Sequence, residues 1–100
     1  MLNLETDVMV NVTEKPHIST FKNVYILNDN YTPMEFVINT LISALKISWE
    51  EAERITLKAH YDGKALCGKF PKDIAETMIV YAIKNAKKAG HPLMLISENS

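Results

Sequence analysis

Few residues of this sequence have the chemistry of a catalytic group. A nucleophile needs a base within reach and a third group that orients the base. The only plausible pair is His60 and Cys67, which are seven residues apart across a turn that contains Gly63. An enzyme built on this pair would use His60 as the base and Cys67 as the nucleophile, and a Cys67→Ser change would inactivate it. The alternative interpretation is that Cys67 is a small buried filler of the core.

Metal and phosphate sites are also weakly supported. The possible zinc ligands His17, His60, His91 and Cys67 include no closely spaced pair, whereas a structural zinc site needs four ligands. The sequence has no glycine-rich phosphate loop. We therefore expect neither a metal nor a cofactor.

A polar run, Asn28-Asp29-Asn30, is the other candidate for a site. Short polar side chains of this kind form turns, which is a sufficient explanation when the run is taken alone. His60 likewise gains from the dipole at a helix C-terminus without any ligand. Alternatively, the run and His60, each next to the apolar residues Met34, Val37 and Ala59, line a cavity with a polar mouth.

The elements that carry these residues begin with a strand. Residues alternate from Phe21 to Leu27, with Val24 and Ile26 on one face. Weaker alternation predicts a second strand from Lys64 to Phe70, and Leu93 to Ile96 is the third.

Three helices separate the strands. Thr32, Pro33 and Glu35 have the types and spacing of a capping box and predict a helix from Pro33 to about Leu45. The same pattern at Ser48 predicts a second helix, which ends near His60. Pro71 opens the longest helix, which Gly90 closes. Its apolar stripe comprises Ile74, Ala75, Ile79, Ala82 and Ala86.

The order βααβαβ predicts an α+β fold in which three helices cover a small three-stranded antiparallel sheet. Residues 1–20 show no sustained period and are predicted to be a flexible N-terminal extension, followed by one domain over residues 21–100. A formal net charge of −1 argues against nucleic acid as a partner. With one cysteine, no signal peptide and no apolar run of ~20 residues, we expect a cytoplasmic protein with no membrane association.

Four motifs in the right order resemble the ClpS family of adaptor proteins. They are NDNYTPMEFV, EEAERITLKAHYDGKALCG, DIAET and GHPL, and the similarity extends over about residues 21 to 97. The resemblance implies a monomeric, non-enzymatic adaptor. It would bind proteins that begin with a bulky apolar residue and deliver them to the AAA+ unfoldase ClpA or ClpC.

The resemblance also implies residue roles. Asn28, Asp29 and His60 would hold the free α-amino group of the substrate. The pocket for its first side chain would be formed by Thr32, Met34, Val37, Thr56, Ala59 and Leu93. The unfoldase would contact Tyr31, Asp73 and Met78, and would engage the N-terminal extension.

Three positions depart from the family pattern. Thr56 replaces the usual methionine, and we expect a roomier pocket that accepts Ile or Val beside Leu, Phe, Tyr and Trp. Asn30 replaces a frequent second aspartate and removes one negative charge from the mouth. Met78 replaces a lysine, which leaves the identity of the unfoldase open. The alternative function is a ClpS-like regulator that blocks or redirects the unfoldase without delivering substrates, or a module with another ligand.

Overall fold

The first strand in the chain is the central strand of the sheet. A computed structural model describes residues 20–100. In it, β1 (Phe21–Leu27) pairs antiparallel with β2 (Lys64–Pro71) on one side and with β3 (Met94–Asn99) on the other. Val24 and Ile26 are no more than 1% exposed, as the alternation predicted. The predicted α+β class and the order βααβαβ are confirmed.

The helices α1 (Met34–Leu45), α2 (Trp49–Asp62) and α3 (Lys72–Lys88) cover one face of this sheet. Ser48 caps α2 as predicted, because its hydroxyl accepts a hydrogen bond from the Glu51 amide at 3.1 Å. α2 continues past His60 to Asp62. It ends there because Gly63 adopts the left-handed conformation, with φ of 90°, and donates its N–H to the Ala59 carbonyl.

The start of α1 differs from the predicted capping box. The helix begins at Met34, and no side chain caps its N-terminus. The Thr32 hydroxyl instead donates a hydrogen bond to Oδ2 of Asp29 at 2.9 Å. The capping-box prediction was therefore wrong. Because the helix begins at Met34, the N-cap position falls on Pro33, whose side chain has no hydrogen-bonding group.

The packing of α3 confirms most of its predicted stripe. Ala75, Ala82 and Ala86 are fully buried, and Ile79 packs against the core. Ile74 is 46% exposed, so its assignment to the buried face was wrong. It directly precedes Ala75, and adjacent residues of a helix point in directions about 100° apart, so both cannot face the sheet.

The N-terminal extension predicted for residues 1–20 lies, except for Thr20, outside the described residues. Within residues 20–100, no helix combines the length and the hydropathy needed to cross a membrane.

Candidate functional site

A cavity of about 50 Å³ lies where the end of β1, α1, α2 and the segment before β3 meet. All nine residues predicted to hold the amino group or to form the pocket line this cavity. Ile26 and Leu27 also line it, although no sequence motif pointed to them. Their position directly before Asn28, at the end of the central strand, was the signal that could have placed them there.

The lining residues divide into an apolar floor and a polar rim. The floor residues are buried, and they are Ile26, Val37, Thr56, Ala59 and Leu93. The side chains of Asn28, Met34 and His60 are exposed at the rim, and Asp29 and Thr32 are half-buried. An apolar cavity with a few polar groups at its mouth is the common form of a small-ligand site.

Backbone hydrogen bonds bring the two halves of the rim together. The Asn28 amide donates to the Gly63 carbonyl at 2.9 Å, and the Gly63 amide donates to the Ala59 carbonyl at 2.8 Å. The end of β1 is thus tied to the end of α2, whose last turn carries His60. This is the reason why residues far apart in the sequence share one cavity.

Asp29 holds the turn that leads from β1 into α1. Its Oδ1 accepts hydrogen bonds from the amides of Tyr31 at 2.8 Å and Thr32 at 2.7 Å. Its Oδ2 accepts one from the Thr32 hydroxyl. A carboxylate has about four acceptor positions, so one position on Oδ2 is still available to a ligand. Asp29 can therefore be a turn former and a ligand-binding group at the same time.

The same contacts keep Asp29 ionised. Partial burial raises the pKa of this carboxyl. The amides of Thr32 and Tyr31, the Thr32 hydroxyl and the charge of His91 oppose that effect and hold the pKa below its ordinary value. The rim of the cavity therefore carries a negative charge at neutral pH.

Thr56 lies in the floor of the cavity and is 6% exposed. Its hydroxyl donates to the Ala52 carbonyl, one turn earlier in α2, at 2.8 Å. Because the hydroxyl is satisfied within the helix, the methyl group is the part of the side chain left to line the cavity. The effect of Thr56 on pocket size stays a prediction.

Cys67 is not among the residues that line the cavity. Burial raises the pKa of its thiol to about 12, and a backbone hydrogen bond with Ile26 opposes this only in part. The thiolate, which is the nucleophilic form, is therefore scarce at neutral pH. Within the described part of the chain, no three His, Cys, Asp or Glu side chains are grouped as a metal site.

Two of the three residues predicted for the unfoldase surface lie in one groove. Asp73 and Met78 line a groove of about 490 Å³ between the end of α1 and α3. Its other lining residues are Ser43, Ala44, Lys46, Ile74, Thr77 and Tyr81. Tyr31 is 81% exposed and does not line this groove. The predicted stripe placed Ile74 on the buried face of α3. Because Ile74 instead lines this groove, the exposed face of α3 is more apolar than the stripe indicated.

Comparison with known proteins gives one consistent result. Residues 19–96 match the family model described as ATP-dependent Clp protease adaptor protein ClpS. The Clp protease adapter ClpS of Herminiimonas arsenicoxydans is 42% identical over 91 residues, which cover 91% of this chain and 89% of that protein. The ClpS adapter of Albidiferax ferrireducens is 46% identical over 86 residues, which cover 86% of this chain and 69% of that protein.

The solved structures include a similar protein with a ligand. Agrobacterium tumefaciens ClpS2, solved bound to L-phenylalaninamide, has a TM-score of 0.79 and 36% sequence identity to this chain. The match covers 82% of this chain and 99% of that one. The sequence and structure matches agree with the fold, and they show that this chain belongs to the ClpS family of non-catalytic adaptors of the ATP-dependent Clp protease.

Proposed function

We propose that this adaptor binds the free α-amino group and the bulky apolar first side chain of its substrates in the cavity at the end of β1, and delivers them to the AAA+ unfoldase ClpA or ClpC. The observation that carries the proposal is the division of the cavity into an apolar floor and a rim with an ionised carboxylate. The ligand of the similar ClpS2 structure, L-phenylalaninamide, has the same two features, an amino group and an apolar side chain.

The rim offers three acceptors to an α-amino group. They are the side-chain oxygen of Asn28, the free position on Oδ2 of Asp29, and an unprotonated ring nitrogen of His60. An α-amino group has a pKa of about 7.7–8.0, so it is mostly a cation at neutral pH and has three N–H donors. An acetylated amine has one donor and no charge. The rim therefore selects a free N-terminus.

The floor supplies the second part of the affinity. Burying a Leu or Phe side chain contributes ~1.5–3 kcal/mol, and each charge-assisted hydrogen bond contributes ~1.5–3 kcal/mol. Together with backbone contacts, these contributions are consistent with a binding free energy of about −8 kcal/mol, which corresponds to a Kd that is micromolar or somewhat tighter.

The size of the cavity has a consequence for how a side chain enters. A cavity of ~150 Å³ is known to hold benzene, whereas this cavity has about 50 Å³. A substrate side chain such as Phe therefore has to displace a lining residue. Met34 is suited to this because it is exposed at the rim and has a flexible, unbranched side chain. The proposed substrates begin with Leu, Phe, Tyr or Trp, and with Ile or Val if Thr56 enlarges the pocket.

The groove beside α3 is the proposed surface for the unfoldase. It combines the charge of Asp73 with the apolar side chains of Ile74, Met78 and Tyr81. Because Met78 replaces a lysine of the family pattern, the unfoldase should present an apolar rather than an acidic surface here. Tyr31 would add a separate contact. The adaptor would act as a monomer, and residues 1–20 would be the segment that the unfoldase engages.

A reconstituted degradation assay tests this function. A reporter protein with an N-terminal Phe is incubated with the Clp protease, with and without this adaptor, and compared with the same reporter beginning with Ser. We expect the adaptor to accelerate degradation of the Phe reporter alone. Slower degradation of both reporters would instead show a regulator that blocks the unfoldase.

A further inference from the structure

Two rings that belong to neither part of the proposed site make contact beside it. Phe36 of α1 and His91, in the segment between α3 and β3, pack edge to face. Their centroids are 4.7 Å apart and their planes are inclined at 67°. Neither residue lines the cavity. The contact therefore acts on the site through the elements that carry the two rings.

The backbone around His91 is held in place by the end of α3. Gly90 adopts a positive φ of 82°, and the amide of His91 donates to the Ala86 carbonyl at 2.8 Å. Only Pro92 separates His91 from Leu93, which is buried in the floor of the cavity. His91 and the floor residue Leu93 thus belong to one short backbone segment.

Phe36 is connected to the cavity through α1. It directly precedes Val37, another floor residue, and lies between Val37 and the rim residue Met34 on α1. The Phe36–His91 contact therefore joins α1 to the segment before β3, and both elements line the cavity.

We propose that His91 is a positioning residue for the substrate pocket: by packing against Phe36 it fixes the separation between α1 and Leu93, and so the size of the first side chain that is accepted. The inference rests on the proposed function, because its readout is the choice among substrates. An edge-to-face pair changes an equilibrium constant by about two- to tenfold, in addition to the effect of the apolar area that it buries. That is the range within which His91 sets specificity.

The test compares two substitutions that separate the aromatic ring from its ring nitrogens. His91→Phe keeps an aromatic ring on Phe36 and removes the imidazole nitrogens, whereas His91→Ala removes both. Val80→Ala, on the exposed side of α3 at 61% exposure, is the control for deletion of a side chain. Kd values are measured by fluorescence anisotropy for peptides that begin with Leu or Trp and are otherwise identical.

We expect His91→Ala to weaken binding of the Leu peptide about two- to tenfold and to weaken the Trp peptide less, because a loosened pocket loses contact with the smaller side chain first. His91→Phe and Val80→Ala should keep the wild-type ratio of the two Kd values. An unchanged ratio in His91→Ala would overturn the proposal. A His91→Phe ratio equal to that of His91→Ala would overturn it too, since the packing of an aromatic ring on Phe36 would then not determine the ratio.

The change Phe36→Leu removes the contact from its other side and decides the matter if His91→Ala does not fold. It should shift the Leu-to-Trp ratio in the same direction, and an unshifted ratio would contradict the proposal. If the wild type binds neither peptide, the proposed function itself fails. If the wild type binds both peptides and the variants keep its Leu-to-Trp ratio of Kd values, the proposed function stands and only the role of His91 fails.

Discussion

The amide of Asn28 donates a hydrogen bond to the carbonyl of Gly63 at 2.9 Å, and this contact joins the two halves of the candidate site. Asn28 directly follows the central strand, and Gly63 directly follows the helix that carries His60. The bond needs the left-handed conformation of Gly63, which turns the chain from α2 into β2. This contact places the Asn28–Asp29 turn and His60 around one cavity, although each also has a simple local explanation.

Removing the charge of Asp29 tests the rim of this cavity. Asp29→Asn keeps an oxygen that can accept from the Tyr31 and Thr32 amides, so the turn is largely retained. The charge-assisted bond to the substrate amine is lost, and we expect peptide affinity to fall about 10- to 100-fold. Titration calorimetry measures this change. Asp73→Asn, an exposed carboxylate on α3, should leave peptide binding unchanged, and an equal loss in both variants would contradict the assignment.

The pH dependence of stability gives an independent view of the same carboxylate. The folded-state pKa of Asp29 is lowered from 3.8, so the ionised group stabilises the fold above that pH and the contribution disappears as the pH falls through the folded pKa. We expect the difference in free energy of unfolding between wild type and Asp29→Asn to be larger at neutral pH than below 3.8. Urea unfolding at several pH values measures it, with Asp73→Asn as the control. A difference that does not shrink in acid would show that the carboxylate charge contributes nothing to the turn.

The size of the pocket is tested at Thr56. Thr56→Met places a longer side chain in the floor, and we expect Ile- and Val-initiated peptides to lose about 5- to 150-fold in affinity, since overpacking a site costs ~1–3 kcal/mol. Leu-initiated peptides should lose less. Thr56→Ser keeps a hydroxyl for the Ala52 carbonyl and removes only the methyl group, so it is the control for the helix contact. Equal rejection of Ile-initiated peptides by wild type and Thr56→Met would contradict the prediction.

Deleting residues 1–19 separates binding from delivery. Thr20 is kept because its carbonyl accepts a hydrogen bond from the Lys72 amide at 2.8 Å, so the start of α3 is undisturbed. We expect the shortened protein to bind Phe-initiated peptides with the wild-type Kd and to lose the acceleration of reporter degradation by the Clp protease. Undiminished degradation would show that the unfoldase does not need this segment. A matched substitution of residues 1–19 by a Gly/Ser sequence distinguishes the need for length from the need for sequence.

The elements of the fold were predictable where a local pattern had no strong competitor. The alternation around Val24 and Ile26 identified the central strand, and the hydroxyl of Ser48 caps α2 as its spacing indicated. The cap assigned to Thr32 was wrong because the helix begins at Met34, which places Pro33, a residue without a side-chain acceptor, at the N-cap position. The placement of Ile74 on the buried face of α3 was wrong because the buried stripe is made mainly of alanines. A helical period alone does not show which neighbour of Ala75 points outward.

The site was predictable through motifs rather than through periodicity. The nine residues that the ClpS resemblance implies all meet in one cavity, although no local pattern connects Asn28 with His60. The contributions of Ile26 and Leu27, and the contact between Phe36 and His91, depend on how α1 and the segment before β3 pack in three dimensions. Side-chain contacts of this kind leave no periodic signal in a single sequence.

The most direct test of the central claim is the affinity for peptides that begin with Phe and differ only in whether the α-amino group is free or acetylated. In the proposed function, Asn28, Asp29 and His60 accept hydrogen bonds from the amine, and acetylation removes the charge and two of the three donors of that amine. We predict a micromolar or tighter Kd for the free peptide and binding about 100-fold weaker for the acetylated one. Equal affinity for the two peptides would contradict the assignment of this cavity as an α-amine site.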